Sequence, residues 1–244
     1  MLAHSPPFPL VIDYDNAHIT TEDEEAIILA LAQRERVRRI RLNLPVLQLH
    51  KLIVAIDGEY PILEYLILVD SPENKRTVLV LPKTLQTPHL RHLTISCSIP
   101  MRFQLLTAAV GLVTLNLGLY HPSTYFQPTV LLQSLSLMPQ LETLLIRFYF
   151  AVSNRDVERQ LTRRPIMTHA TLPNLHSFIF QSVSAYSEAV LSRVTAHRLE
   201  DFHICYPEQL SSPVPHLLQF VRRTENLRFD RAVRVVFWFE SKRV

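Results

Sequence analysis

The side chains of this chain that could do chemistry are eleven histidines, two cysteines and a few close carboxylates. His89 and His92 stand three apart, and His197 and His203 six apart. A helical zinc pair needs two histidines four apart on one face, and neither spacing supplies it. Cys97 and Cys205 form no CxxC pair, which excludes a thiolate zinc set, and two thiols are too few for a disulfide framework. Both follow apolar, strand-like runs and read as corner residues rather than nucleophiles. No G-x-S-x-G is present. Asp13/Asp15 lie in a β-prone run, and Glu24/Glu25 in the first turn of a helical stretch, where carboxylates favour the helix dipole without any acid–base role. Gly111 and Gly118 are seven apart with no G-K-[ST] beside them, so phosphate-cradling loops have no support. The expectation is no catalytic centre, no metal and no cofactor.

The bulk numbers agree with a folded binding module. In 244 residues, 48% are hydrophobic and 19% charged, which argues against disorder. The net charge is only +3, and the one dense basic stretch is Arg34, Arg36, Arg38, Arg39 and Arg41. A nucleic-acid binder would carry a larger or more clustered excess. No apolar run approaches the roughly 18 residues of a membrane span, and MLAHSPPFPLVIDYD lacks the basic and apolar regions of a signal peptide. With only two cysteines, a reducing compartment, cytoplasm or nucleus, is expected. With 3 Gly against 17 Pro, the turns must be built mainly from Pro, Asn, Asp and Ser.

Self-similarity is the strongest signal. Seven segments read apolar-x-x-apolar-x-apolar: Val37-Ile40-Leu42, Leu63-Leu66-Leu68, Leu90-Leu93-Ile95, Leu112-Leu115-Leu117, Leu141-Leu144-Ile146, Leu175-Phe178-Phe180 and Leu199-Phe202-Ile204. Successive starts are 26, 27, 22, 29, 34 and 24 residues apart, near the period of leucine-rich repeats. Pro61, Pro88, Pro139 and Pro173 precede four of them and suit the start of a strand. The fourth and sixth positions alternate with period two, so they face one side of a short strand.

Helical stretches lie between: 20–35 with a Thr21-x-x-Glu24 capping box and an Ile27, Ile28, Leu31 stripe, then 46–56, 103–110, 128–138, 154–161, 187–195 and 214–224. Strand alternating with helix at this period predicts an α/β leucine-rich-repeat solenoid, with a curved parallel sheet on the concave face and helices on the convex face. The expected organisation is a single domain over 1–244. It comprises a cap strand and helix (1–35), seven irregular repeats (36–206), and a C-terminal helix and closing strand (207–244). The polar, basic stretch 151–170 reads as an exposed insertion.

The register also predicts which side chains line the open face. Position three collects Arg39, Tyr65, His92, Thr114, Thr143, Ser177 and Asp201; position five collects Arg41, Ile67, Thr94, Asn116, Leu145, Ile179 and His203. Among these, Arg39, Arg41, Tyr65, Ile67, His92, Thr94, Asn116, Leu145, Ile179, Asp201 and His203 are the candidate partner-binding residues. The row runs from a cationic N-terminal end, which reads as a solvated cap with an anion- or acidic-peptide-binding site as the alternative, to Asp201 and His203. Ile67, Leu145 and Ile179 on a solvated row read either as β-propensity on an exposed strand or as a partner's footprint.

The strings LPVLQLHKLIVAIDGEYPILEYLILVD (44–70), TLPNLHSFIFQSVSAYSEAVLSRVTAHRLEDFHICYPEQL (171–210) and TENLRFDRAVRVVFWFE (224–240) resemble the repeat regions of basidiomycete fungal F-box proteins with leucine-rich repeats. The resemblance implies a substrate-recognition region of a ubiquitin-ligase subunit, in which an F-box ahead of the repeats docks a Skp-type adaptor. No F-box segment is found in this chain, so adaptor binding is expected only if one lies upstream. The functional expectation is a monomeric protein–protein interaction scaffold and not an enzyme, binding neither nucleic acid nor membrane. The alternative is a truncated or orphan repeat protein without a ligase role.

Overall fold

The computed structural model describes residues 8–16, 18–70, 80–97, 105–106, 109–150, 152–163, 166–206, 213–227 and 233–237. In chain order the elements are β1 (Leu10–Asp15), α1 (Thr21–Leu31), β2 (Val37–Leu44), α2 (Val46–Ala55), β3 (Tyr65–Asp70), β4 (His92–Ser96) and β5 (Thr114–Leu119). They continue with α3 (Pro128–Ser136), β6 (Thr143–Phe148), α4 (Asn154–Arg163), β7 (Ala170–Thr171), β8 (Ser177–Gln181), α5 (Ser184–Leu191), β9 (Val194–Thr195), β10 (Asp201–Tyr206), α6 (Pro215–Arg223) and β11 (Val233–Phe237). Nine strands form one parallel sheet in the order β1-β2-β3-β4-β5-β6-β8-β10-β11, and β7 pairs with β9 in a second, two-stranded sheet. The large sheet is open, with β1 and β11 at its edges. The fold is therefore mixed α/β on a large parallel sheet whose spatial order is the order of the sequence.

The alternation of the sequence dictates this arrangement. Positions one, four and six of all seven segments, from Val37 to Ile204, are fully buried. They share one core with helix side chains such as Leu31, Leu49, Leu52, Leu131, Leu135, Tyr186, Leu217 and Phe220. Each such side chain contributes roughly 1.5–3 kcal/mol by leaving water. The intervening positions stay half-exposed, so one sheet face carries the helices and the other remains open.

The prolines act one step earlier than the sequence suggests. Each sits second in a β-turn rather than at the start of the strand. The Leu63 amide donates to Tyr60 O across Pro61 (3.3 Å), and Leu90 to Thr87 O across Pro88 (3.2 Å). Leu141 donates to Met138 O across Pro139 (3.2 Å), and Leu175 to Leu172 O across Pro173 (3.3 Å). The fixed φ of proline suits that turn position, and its missing N–H costs nothing there. Leu112 closes the same turn on Ala109 O (3.2 Å) without proline.

At the entry to each strand from β4 to β10 in the large sheet a carbonyl is forked. Glu64 O accepts from Arg91 N and His92 N (both 2.9 Å), and Arg91 O from Val113 N (2.8 Å) and Thr114 N (3.0 Å). Val113 O, Glu142 O and His176 O repeat the pattern, so the amides that open one strand are tied to the strand before it.

Several helix expectations shift. The cap of α1 is Thr20, whose extended backbone lets its hydroxyl accept from Asp23 N at 3.1 Å; Thr21 is already helical. Ile27 and Leu31 are buried there, but Ile28 is 38% exposed. The stretch 187–195 is not one helix: α5 begins at Ser184 and ends at Leu191, and Val194–Thr195 is strand β9. The insertion 151–170 is not an exposed loop among its described residues. It contains α4 with Val157 buried, then Ile166 buried and Ala170 in β7. The stretch 103–110 lies largely outside the described residues, as do 238–240 of the closing strand.

Candidate docking face

Three rows of side chains cross the open face, each drawing one residue per strand. Register pairs run Val11–Arg39–Tyr65–His92–Thr114–Thr143–Ser177–Asp201 in the first row. The second runs Asp13–Arg41–Ile67–Thr94–Asn116–Leu145–Ile179–His203–Arg234. The predicted candidates Arg39, Tyr65, His92 and Asp201 thus stand in register on one row, and Arg41, Ile67, Thr94, Asn116, Leu145, Ile179 and His203 on the next. All eleven are half-exposed.

The third row was missed by stopping at position five. It holds Asp15, Asn43, Val69, Ser96, Gly118, Arg147, Gln181 and Cys205. The signal was present, because period-two alternation continues for two further residues in most strands.

The cationic N-terminal end is not a free anion site. Arg41 is 2.9 Å from Asp15 and 3.6 Å from Asp13, and Arg39 is 3.7 Å from Asp13. Asn43 donates to the other oxygen of Asp15 at 2.8 Å. The cap strand supplies both carboxylates, which sequence spacing alone does not place opposite the arginines. From this cluster the first row continues as a stack. The Arg39 guanidinium lies 5.6 Å from the Tyr65 ring centre, and Tyr65 stacks on His92 at 4.3 Å and 6°. His92 Nδ1 is 3.1 Å from Thr114 Oγ1. Burial, aided by the Arg91 charge, pushes the His92 imidazole below its ordinary pKa.

At the other end Ser177 donates to Asp201 at 3.1 Å. Between the two ends, from β3 to β8, neither of the first two rows carries a formal charge apart from any on His92. Tyr65, Ile67, Thr94, Thr114, Asn116, Thr143, Leu145, Ser177 and Ile179 make this stretch.

His92 and His203 stand four strands apart, roughly 19 Å at about 4.8 Å per strand. Among the described residues no three His, Cys, Asp or Glu side chains gather to hold a metal ion. Cys97 follows β4 and is buried, with its thiol 3.9 Å from Leu68 O. Cys205 does not follow a strand but lies within β10; burial raises its thiol pKa against the pull of Arg147, which disfavours a thiolate. Asp70 ends β3 on the core side, its carboxyl pushed up to about 6 by burial despite a backbone hydrogen bond from Val46. Among the described residues, no helix is long and apolar enough to cross a membrane.

No family model, curated protein or solved structure matches this chain.

Proposed function

We propose that this chain is a leucine-rich-repeat solenoid whose open sheet face docks a protein partner. The solenoid reading rests on strands stacked in sequence order, on buried positions one, four and six, and on the recurrent turns and forked carbonyls. The docking reading rests on one observation: from β3 to β8 the first two rows form a half-exposed bench without carboxylates or fixed cations, with Ile67, Leu145 and Ile179 along it. Neutral and apolar side chains in register on an open sheet suit a partner that covers them.

Affinity purification with mass spectrometry, comparing wild type with Leu145→Asp, tests the reading. Loss of a wild-type-specific partner in the variant is expected. An identical set of captured proteins, from two folded baits, sinks it.

The sequence strings support a narrower form, in which the docked partner is a ubiquitin-ligase substrate. That form requires a Skp-type adaptor to associate with the full-length gene product. If the adaptor never co-purifies, the chain is a scaffold outside the ligase. A reducing compartment, cytoplasm or nucleus, goes with either form, because two cysteines, Cys97 and Cys205, are too few for a disulfide framework and both are buried.

A further inference from the structure

We infer that the third row reads a carboxylate. On this inference Arg147 receives an acidic side chain of an extended partner segment, while an apolar residue two positions away on that segment lies over Leu145 and Ile179. This rests on the docking reading above and names the chemistry of its partner.

Arg147 differs from the cations at the N-terminal end of the face. Arg39 and Arg41 are held by Asp13 and Asp15. Among the described residues no carboxylate lies within ion-pair distance of Arg147. Its named partner is the Tyr149 hydroxyl, to which it donates at 3.4 Å, long for a charge-assisted bond. The open face between β3 and β8 thus has one fixed cation, and it lacks a counter-ion among the residues described.

The surroundings leave that cation approachable. Its register neighbour on β5 is Gly118, which has no side chain. A Cβ at Gly118 would come within 2.8 Å of Ser96 Oγ, so glycine keeps the Ser96 hydroxyl in place; Gly118 is itself buried, while Arg147 is half-exposed. Ser96 Oγ lies 3.3 Å from the Tyr120 hydroxyl, and Tyr120 stacks on Tyr149 at 4.4 Å and 3°. Tyr149 is 42% exposed. This pair of rings, fixed by stacking, sets hydroxyls beside the guanidinium where a carboxylate can accept from both.

Spacing completes the argument. Leu145 and Arg147 are two residues apart on β6, so both face the open side about 7 Å apart. An extended segment repeats with the same period, so an apolar residue and an acidic residue two apart meet Leu145 and Arg147 together.

The test is selection of a display library of random dodecapeptides on the full chain, repeated with Arg147→Gln, Arg147→Glu and Leu145→Asp. Circular dichroism melting establishes that each variant folds, and Tyr149→Phe gives a milder probe of the same site. Wild type is expected to enrich peptides with Asp or Glu two positions from an apolar residue. Arg147→Gln should weaken a selected peptide about tenfold, the loss typical of one charge-assisted bond. Arg147→Glu should turn the preference to Lys or Arg at that position, and Leu145→Asp should remove the apolar preference alone. Enrichment without an acidic preference, or with one that Arg147→Gln leaves intact, overturns this inference and leaves the docking reading standing. No enrichment on folded wild-type protein overturns it as well, because the segment it describes is linear; the docking reading is then judged by its own purification test.

Discussion

Glu188 of α5 accepts the amides of His216 (2.7 Å) and Leu217 (2.9 Å) at the first turn of α6, one carboxylate oxygen to each. Arg223, at the other end of α6, returns the contact. Its guanidinium donates to Leu191 O (2.6 Å) and Val194 O (2.7 Å) where α5 ends. An anion meets the positive end of one helix and a cation the negative end of its neighbour, so the two helices cap each other. Asn154 of α4 does the same for α5, accepting from Ala185 N at 2.9 Å.

Glu188→Ala is expected to cost about 2 kcal/mol, because two amides in the first turn of α6, that of Leu217 buried, lose their acceptor. Arg223→Ala should cost a comparable amount. The double variant should cost less than the sum, since both contacts hold the same helix pair. Urea denaturation of the four proteins measures this; strict additivity would show the two caps to be independent.

The alternation along β6 predicts opposite outcomes for adjacent residues. Leu144 is fully buried, and Leu144→Ala should cost about 2–5 kcal/mol. Leu145 is on the open face, and Leu145→Ala should stay within about 0.5 kcal/mol. Thermal melts of the two variants decide it, and similar losses at both sites would contradict the register.

Asp70 sets a pH dependence of known sign. Its carboxyl is raised from 3.8 to about 6, so the fold favours the protonated form. The stabilisation from protonation is complete below the unfolded value and is lost as pH rises through about 6. Asp70→Asn should therefore match wild type near pH 4 and melt at a higher temperature than wild type above pH 6. A constant gap across that range would remove Asp70 as the cause.

His92 works in the opposite direction. Its pKa is lowered chiefly by burial, so the fold favours neutral imidazole. Its contribution is present above pH 6.5 and is lost as pH falls through the depressed folded value. Proton NMR titration should place His92 below the ordinary histidine value, and Arg91→Ala should raise it only partway. Full return to the ordinary value in Arg91→Ala would make charge, not burial, the main cause.

Gly58 is the one described glycine with positive φ, at +82°, and the Arg34 guanidinium packs where a Cβ would stand. Gly58→Ala should cost about 1–2 kcal/mol from backbone strain, before any displacement of Arg34. Urea denaturation reads the loss.

The strands were legible because two positions in each of seven segments obey period two and every one of them is buried. The prolines were seen but misplaced, since spacing alone does not say whether proline opens a strand or bends the turn before it. Helix α5 was misread for a physical reason. All eight of its residues are buried, Ser184 and Glu188 among them, so no polar stripe marks its outer side. The arginine–aspartate cluster could not be seen in advance because Asp13 and Asp15 sit 26–28 residues before their partners. The third row was hidden only by reading each segment as six residues long.

The forked carbonyls bear on how the molecule should come apart under load. Among the described residues each strand of the large sheet pairs with the sheet's previous and next strands in chain order, and the fork concentrates those bonds where a strand begins. Tension applied between the two ends loads one seam at a time, starting from an edge. Pulled in an optical trap, the chain should lengthen in a series of small, similar steps, like stitches leaving a hem, rather than in a single rupture.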